Sequence, residues 1–305
     1  MWVLADPRAG TAAQALGIAE RLSVPFAVKQ LEFSALAGLP NLLLGASRLG
    51  LRGADWTPPW PRLVIAAGRR SAPPALWLKA RGARLVHVMR PGVVAEKFDL
   101  LIVPAHDKVP PAPNVLEILG APHRLTPTRL AEARGRFAHL PSPRVALLVG
   151  GPVRSVGLDA QAAGGLAAAV AAVAGSVLAT TSRRTGEAAA AAIAAALAPV
   201  PHVLHRFGAP GENPYLSLLA DADAIVATGD SISMVSEAAM TAAPLFIADL
   251  PGTSGPRHRA FHQSLYRAAQ ARPFAGALDS FARTPLDETA RIGDAIRARG
   301  LLPEG

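Results

Sequence analysis

Short runs of Val, Leu and Ile recur along the chain, each closed by Gly, Pro or Asp, with Ala/Leu-rich amphipathic stretches between them. That alternation marks repeated βα units around parallel sheets, whose strands are covered on both faces and so read as continuous apolar runs. In the first half it predicts strands at residues 2–5, 26–31, 63–67, 85–89, 100–103 and 115–119, with helices beginning near Ala9, Leu39, Ser71 and Thr126. The two prolines in His139-Leu140-Pro141-Ser142-Pro143 forbid a continuing helix, and the alternation restarts at Val145, so a domain boundary is expected there. The second half reads as strands at 145–149, 176–180, 202–206, 224–227 and 245–248, with helices starting near Asp159, Glu187, Pro214, Ser231 and His258. A last amphipathic helix, over about 287–299, is expected to pack back on the first domain. The predicted architecture is α/β: two Rossmann-like doubly wound domains, 1–140 and 141–286, facing across a cleft, with 287–305 returning to the first.

Composition narrows the classes. The chain has 305 residues, 50% hydrophobic and 17% charged, which excludes an intrinsically disordered protein. It has no cysteine, which excludes disulfides, thiolate catalysis and a cysteine zinc site. The opening MWVLADPRAG lacks a basic region followed by a long apolar one, so export is not expected and a cytoplasmic location is. The uncharged stretch from Ala160 to Ser182 is mostly Ala and Gly and is split by Gly175-Ser176, so it reads as a helix and a strand, not a membrane span. The charge is uneven. Residues 1–140 hold 18 Lys+Arg against 9 Asp+Glu, and residues 141–305 hold 13 against 13. A basic first half suits an anionic partner, and equally a solvated Arg-rich surface.

Ligands of open α/β sheets bind beyond the carboxyl ends of strands, where helix N-termini offer free N–H groups. The best such place is DADAIVATGDSISMVSEA: a strand ends at Thr228, the turn Gly229-Asp230-Ser231 follows, and Ser233 and Glu237 share one face of the next helix. A diphosphate can sit on that turn and a ribose diol on the carboxylate. An ordinary N-cap by Asp230 or Ser231, with Glu237 in solvent, explains the same residues. Ser182, Arg183 and Arg184 follow another strand end, where guanidinium forks suit phosphate. Arg257, His258, Arg259 and His262 gather donors at the opening of a later helix. Gly150-Gly151 permits close backbone approach, but GGPVRSVG is neither a P-loop nor a dinucleotide fingerprint.

In the first half, Asp6 and Gly10 flank the turn after the opening strand and are candidates for the acceptor side, where Gly10 would let an acceptor or phosphate approach the next helix; helix capping explains the segment equally well. His106 and Asp107, just past a strand end, could serve as a base and its orienting carboxylate, although a loop histidine is often inert. Asp6 and Glu96 are weaker candidates for the base. Asp221-Ala222-Asp223 imitates a metal-binding DxD but precedes a strand, so a helix end or strand cap is expected. The histidines lack metal-ligand spacing, and no metal or cofactor is expected. Residues 33–52 carry Leu-rich faces with Arg48 and Arg52; core packing is the favoured reading, and peripheral contact with an anionic membrane the sharper one.

The segments FDLLIVPAHD, NVLEILGAPHR, TTSRRT, ENPY, TGDSISMVSEA and RHRAFHQSL together resemble the bacterial relatives of the plant mitochondrial-fission (elongated mitochondria) family, over nearly the whole chain. That family is classed with glycosyltransferases and was formerly labelled as nucleoside-diphosphate-sugar epimerases. The resemblance implies a glycosyltransferase-B fold, with a nucleotide-sugar as donor substrate in the second domain. It implies Glu237 on the ribose, Gly229 to Ser233 at the diphosphate, Arg183, Arg184 and residues 257–262 on phosphate or sugar, and Tyr215 at the base pocket. Transferases of this fold usually need no metal, since helix dipoles and arginines offset the leaving group's charge. The expected function is transfer of a sugar to an acceptor held by the first domain, such as a lipid-linked one. An epimerase or hydrolase of the same fold, and a non-catalytic adaptor that keeps the fold, are the alternatives. Nucleic-acid binding fits the charge but not the sparse aromatics.

Overall fold

The computed structural model describes residues 1–53, 56–152 and 157–302. The chain divides into two compact units: residues 1–124 with 287–305, and residues 125–286.

The first unit opens with β1 (Trp2–Ala5), α1 (Ala9–Leu22) and β2 (Ala27–Gln30). It continues through α2 (Asn41–Leu44), β3 (Leu63–Ala67), α3 (Ala72–Lys79), β4 (Arg84–Val88), β5 (Leu100–Pro104) and β6 (Val115–Ile118). The strands form a parallel sheet in the order β2-β1-β3-β4-β5-β6. Alternate residues feed opposite faces, as the two-residue repeat of a strand requires. Val3, Ile65, Val86 and Ile102 pack with Ile18 and Leu22 of α1, while Leu4, Val64, Leu85 and Leu101 pack with Leu78 of α3. The closing helix, Glu288–Ala298, belongs to this unit and buries Ile292 and Ile296 in the first of those layers. Glu288 Oε1 accepts the Leu119 amide at 2.6 Å, and Arg21 reaches Asp287 at 2.7 Å.

The second unit runs through α4 (Pro127–Glu132), β7 (Arg144–Val149), α5 (Ala160–Ala171), β8 (Ser176–Thr181), α6 (Glu187–Leu197) and β9 (His202–His205). It ends with α7 (Tyr215–Ala220), β10 (Ala224–Thr228), α8 (Ile232–Ala239), β11 (Leu245–Ala248), α9 (Pro256–Arg267) and β12 (Arg272–Pro273). Its parallel sheet has the order β12-β11-β10-β7-β8-β9. Both faces of this sheet are covered, as the continuous apolar runs required. The helix after it in sequence is α10 (Glu288–Ala298).

Three expectations need adjusting. The units divide at Arg124/Leu125, not at 140/141, because α4 and the run to Leu140 pack on the second sheet: Phe137 joins Leu178 and Leu218. Asp221 draws that run in by accepting the amides of Gly135 at 2.6 Å and Phe137 at 2.8 Å. Asp223 accepts the Arg144 amide at 2.8 Å and pairs with its guanidinium, so the Asp-Ala-Asp carboxylates act as caps. The edge strand β12 was not foreseen, since two residues, one of them Pro, carry no periodic signal. Finally, the helix expected from Leu39 is a single turn bounded by Pro40 and Gly45, and most leucines of the 33–52 segment lie on the surface and not in the core.

Candidate functional site

The loops beyond β7, β8, β10 and β11 of the second unit meet around one buried carboxylate. Asp230 follows β10, and its Oδ2 accepts the Gly151 amide at 2.7 Å and Arg184 Nη2 at 3.3 Å. A Cβ on Gly150 would lie 2.0 Å from that oxygen, and one on Gly151 would lie 2.2 Å from the Arg184 carbonyl oxygen. Only glycine fits either position. Thr228 and Thr185 complete the seam: Thr228 Oγ1 accepts the Gly150 amide at 2.8 Å, and Thr185 Oγ1 donates to the Gly150 carbonyl at 2.6 Å. Thr185, fully buried, also accepts the Ser182 amide at 2.9 Å, so it locks the TTSRRT loop onto the end of β7. Residues 153–156 of the GGPVRSVG stretch lie outside the described residues.

The cap of α8 is Ser231, whose Oγ accepts the Met234 amide at 3.3 Å. Asp230 is therefore free for its role in the seam, and the amides of Ile232 and Ser233, in the first turn, have no intrahelical acceptor. Glu237 lies farther along α8, and its Oε2 accepts the Tyr215 hydroxyl at 2.7 Å. Burial raises the Glu237 carboxyl above its ordinary value, opposed by that hydrogen bond. Burial, with the Glu237 charge adding to it, holds the Tyr215 hydroxyl well above its usual range. Tyr215 thus orients Glu237, and Glu237 is partly sheltered and not a solvated residue. At the other end of α8, Arg283 donates to the carbonyls of Ala238, Ala239 and Ala243 at 2.8–3.0 Å and to Thr241 Oγ1 at 3.2 Å. Burial lowers its guanidinium to about 10.

Helix α9 supplies two histidines. His262 is buried, and its Nε2 is 2.8 Å from the Gly229 carbonyl, to which it donates in the neutral form. A Cβ on Gly229 would lie 2.5 Å from His262 Cε1, which explains glycine there. Both imidazoles are lowered by burial; at His258 the neighbouring His262, Arg184 and Arg257 lower it further and Asp230 opposes. Arg257 and Arg259 are exposed, and Arg259 donates to the Ser254 carbonyl. Arg183 is exposed and Arg184 half-buried, so the pair splits into one surface residue and one held at Asp230. The second unit therefore brings together Gly150, Gly151, Ser182, Arg184, Thr228 to Ser231 and the α9 histidines, with Tyr215 and Glu237 paired beside α8.

In the first unit, Asp6 is fully committed: Arg8 binds it by the backbone amide at 2.8 Å and by the guanidinium at 3.0 Å, and Arg70 at 3.3 Å. Burial alone would raise this carboxyl, but the two arginines hold it below the ordinary range. Gly10 is exposed near the start of α1. His106 and Asp107 sit on a 3-10 turn just past β5 with buried side chains, the imidazole Nε2 3.9 Å from the carboxylate. Among the described residues, no three His, Asp or Glu side chains group as metal ligands, and no helix is long and apolar enough to cross a membrane.

The sequence profile of the family described as Mitochondrial fission ELM1 matches residues 9–300. The chain belongs to that family. Uncharacterized protein RP120 of Rickettsia prowazekii (strain Madrid E) is 26% identical over 346 aligned positions, covering 97% of each chain. Mitochondrial fission protein ELM1 of Arabidopsis thaliana is 29% identical over 272 positions, which cover 78% of this chain and 63% of the plant protein. Among solved structures, Acinetobacter baumannii MurG superposes with a TM-score of 0.53 at 15% identity, over 98% of this chain and 91% of that one. A candidate UDP-N-acetylglucosamine 2-epimerase from Listeria monocytogenes gives 0.52 at 14% identity, over 98% and 96%. The glycosyltransferase SnogD of Streptomyces nogalater gives 0.50 at 16%, over 98% and 94%. At these identities the likeness establishes the fold, and the ELM1-family chain has a glycosyltransferase-B-like architecture of two parallel sheets flanked by helices.

Proposed function

We propose that this protein is a glycosyltransferase that uses a nucleotide-sugar donor held by its second unit. The observation that carries the reading is Glu237, a sheltered carboxylate on α8 oriented by Tyr215, on the helix whose first turn offers free amides beside glycine-only positions. A ribose diol donates two hydroxyls to such a carboxylate, and a diphosphate suits the amides of Ile232 and Ser233 with Arg184 and the α9 side chains nearby. The hydroxyl group of Ser233 and the exposed Arg183, Arg257 and Arg259 are the further candidates for phosphate and sugar contacts. Helix dipole and guanidinium charge would stabilise the departing diphosphate. On the acceptor side, His106 with Asp107 is the candidate base, and Asp6, held by arginines, orients Arg8 and Arg70 and does not abstract the proton.

The test is a thermal-shift panel of nucleoside diphosphates and nucleotide-sugars. A ligand at 100 times its Kd stabilises the folded state by about 2.7 kcal/mol, which for a unit of this size raises Tm by roughly 5–10 °C. At least one nucleoside diphosphate should produce that shift. If none does, the donor reading fails and the non-catalytic adaptor takes its place. Product analysis with donor alone separates a transferase from an epimerase or hydrolase, since only the latter two turn over without an acceptor.

A further inference from the structure

The segment between Phe33 and Arg52 is built so that most of its leucines face solvent, while Leu44 is buried and Leu51 packs on the core. Leu36, Leu39, Leu42, Leu43 and Leu49 are 48%, 41%, 79%, 72% and 63% exposed. Single exposed leucines are ordinary, but five within fourteen residues are not. The loop is not loosely attached. Ala37, Asn41 and Leu44 are buried, and Asn41 Nδ2 donates to the carbonyls of Arg69 and Pro91, both at 2.6 Å. Arg69 in turn donates to the carbonyls of Leu39 at 2.7 Å and Ala37 at 2.9 Å. The inward residues anchor the turn, and Leu42, Leu43 and Leu49 keep most of their surface outside it.

Charge and aromatic groups around the loop point to what covers it. Residues 33–52 hold Arg48 and Arg52 and no acidic residue, and Arg69 reaches the loop from outside it. Arg48 lies over the Trp77 ring at 4.3 Å and Arg81 at 3.4 Å from the same centroid. A cavity of about 610 Å³ opens along the loop, lined by Ser47, Arg48, Leu49, Leu51 and Trp77, a mixture of basic, aromatic and apolar groups. Exposed aliphatic side chains beside arginines and a tryptophan match the acyl-to-headgroup boundary of an anionic bilayer, where apolar burial and attraction to lipid phosphate act together. Arginines with no acid in the loop favour a uniformly anionic surface over a protein face of mixed charge.

We propose that residues 36–49 dock this protein on the surface of an anionic lipid bilayer, with Leu42 and Leu43 inserted and Arg48 at the headgroups. The proposal is independent of the ligand held by the second unit. The experiment is co-sedimentation of the full chain with vesicles of phosphatidylcholine alone and with 30% phosphatidylglycerol, at low and high salt, for wild type and L42S/L43S. Leu42 and Leu43 are surface residues, so the double variant should keep the wild-type circular dichroism and Tm. Wild type should partition at least tenfold more strongly onto the anionic vesicles, salt should weaken this, and the double variant should lose at least tenfold. Failure of wild type to bind anionic vesicles overturns the proposal. So does equal binding by the variant. A dimer in solution that L42S/L43S converts to monomer, without vesicle binding by either form, would assign the patch to a second copy of the chain instead.

Discussion

Gly229→Ala tests how tightly the site turn is built. The new Cβ would lie 2.5 Å from His262 Cε1, 3.0 Å from Nε2 and 3.1 Å from Ser254 Oγ. Gly229 does not occupy the left-handed backbone region, so the penalty is steric. His262 is buried and tied to the Gly229 carbonyl at 2.8 Å, so it cannot swing away without losing that bond. Overpacking of this kind costs about 1–3 kcal/mol. His262→Ala removes the clashing ring together with its hydrogen bond and packing, at about 2–4 kcal/mol. In the double variant the added methyl group occupies space the imidazole vacated, so the two losses should fall short of their sum by at least about 1 kcal/mol. The chain allows a clean assay. All four tryptophans lie in the first unit and both tyrosines in the second, so tryptophan fluorescence follows the first unit in urea and second-derivative absorbance, which separates the tyrosine band from the overlapping tryptophan band, follows the second. The tyrosine transition should move and the tryptophan transition should stay. Additivity within 0.5 kcal/mol, the scatter of independent sites, would refute the steric coupling.

Other perturbations probe the same framework. Glu237→Gln should weaken nucleoside diphosphate binding by at least tenfold in calorimetry while leaving Tm within a few degrees, because the amide still accepts from Tyr215. Burial raises the Glu237 carboxyl, so wild-type affinity should fall as pH drops through that raised value, where protonation removes the acceptor of the ribose hydroxyls, and the Gln variant should not share this pH dependence. Burial lowers His87 from 6.5 to about 4, against the carbonyls of Met89 and Gly68. Its contribution is complete above pH 6.5 and is lost as pH falls from there toward 4, an effect of about 3 kcal/mol that tryptophan-detected unfolding should register and His87→Phe should flatten. Arg283→Ala should destabilise the second unit by about 2–3 kcal/mol, read by the tyrosine transition, since three carbonyl acceptors lose their donor.

The fold was legible because buried parallel strands write themselves as apolar runs: the predicted strand at 245–248 matches β11 residue for residue, and that at 145–149 matches β7 to within one. The outer limits of the units were less legible. Proline marks where a helix stops, whereas the attachment of 125–140 to the second sheet depends on Asp221 bonds that span more than eighty residues. The site shows the same division. Its turn was visible as strand, small residues and helix, but the sequence gives Asp230 and Ser231 equal claim to the cap. Tertiary structure decides for Ser231 and sends Asp230 to Gly151. Arg283 sits in no motif, and Thr185, although it closes TTSRRT, stands beside arginines whose chemistry is more conspicuous; the role of each depends on partners dozens of residues away. A hint for Thr185 existed in its position at the end of TTSRRT, a conspicuous polar run directly after a strand.

The central claim is that the second unit holds a nucleotide-sugar with the ribose on Glu237. A crystal structure of the full chain grown with the nucleoside diphosphate that raises Tm most tests it directly. Both ribose hydroxyls should lie within about 3 Å of the Glu237 carboxylate and the diphosphate against the amides following Gly229. A nucleotide bound elsewhere, or bound here with its ribose turned away from Glu237, would contradict it.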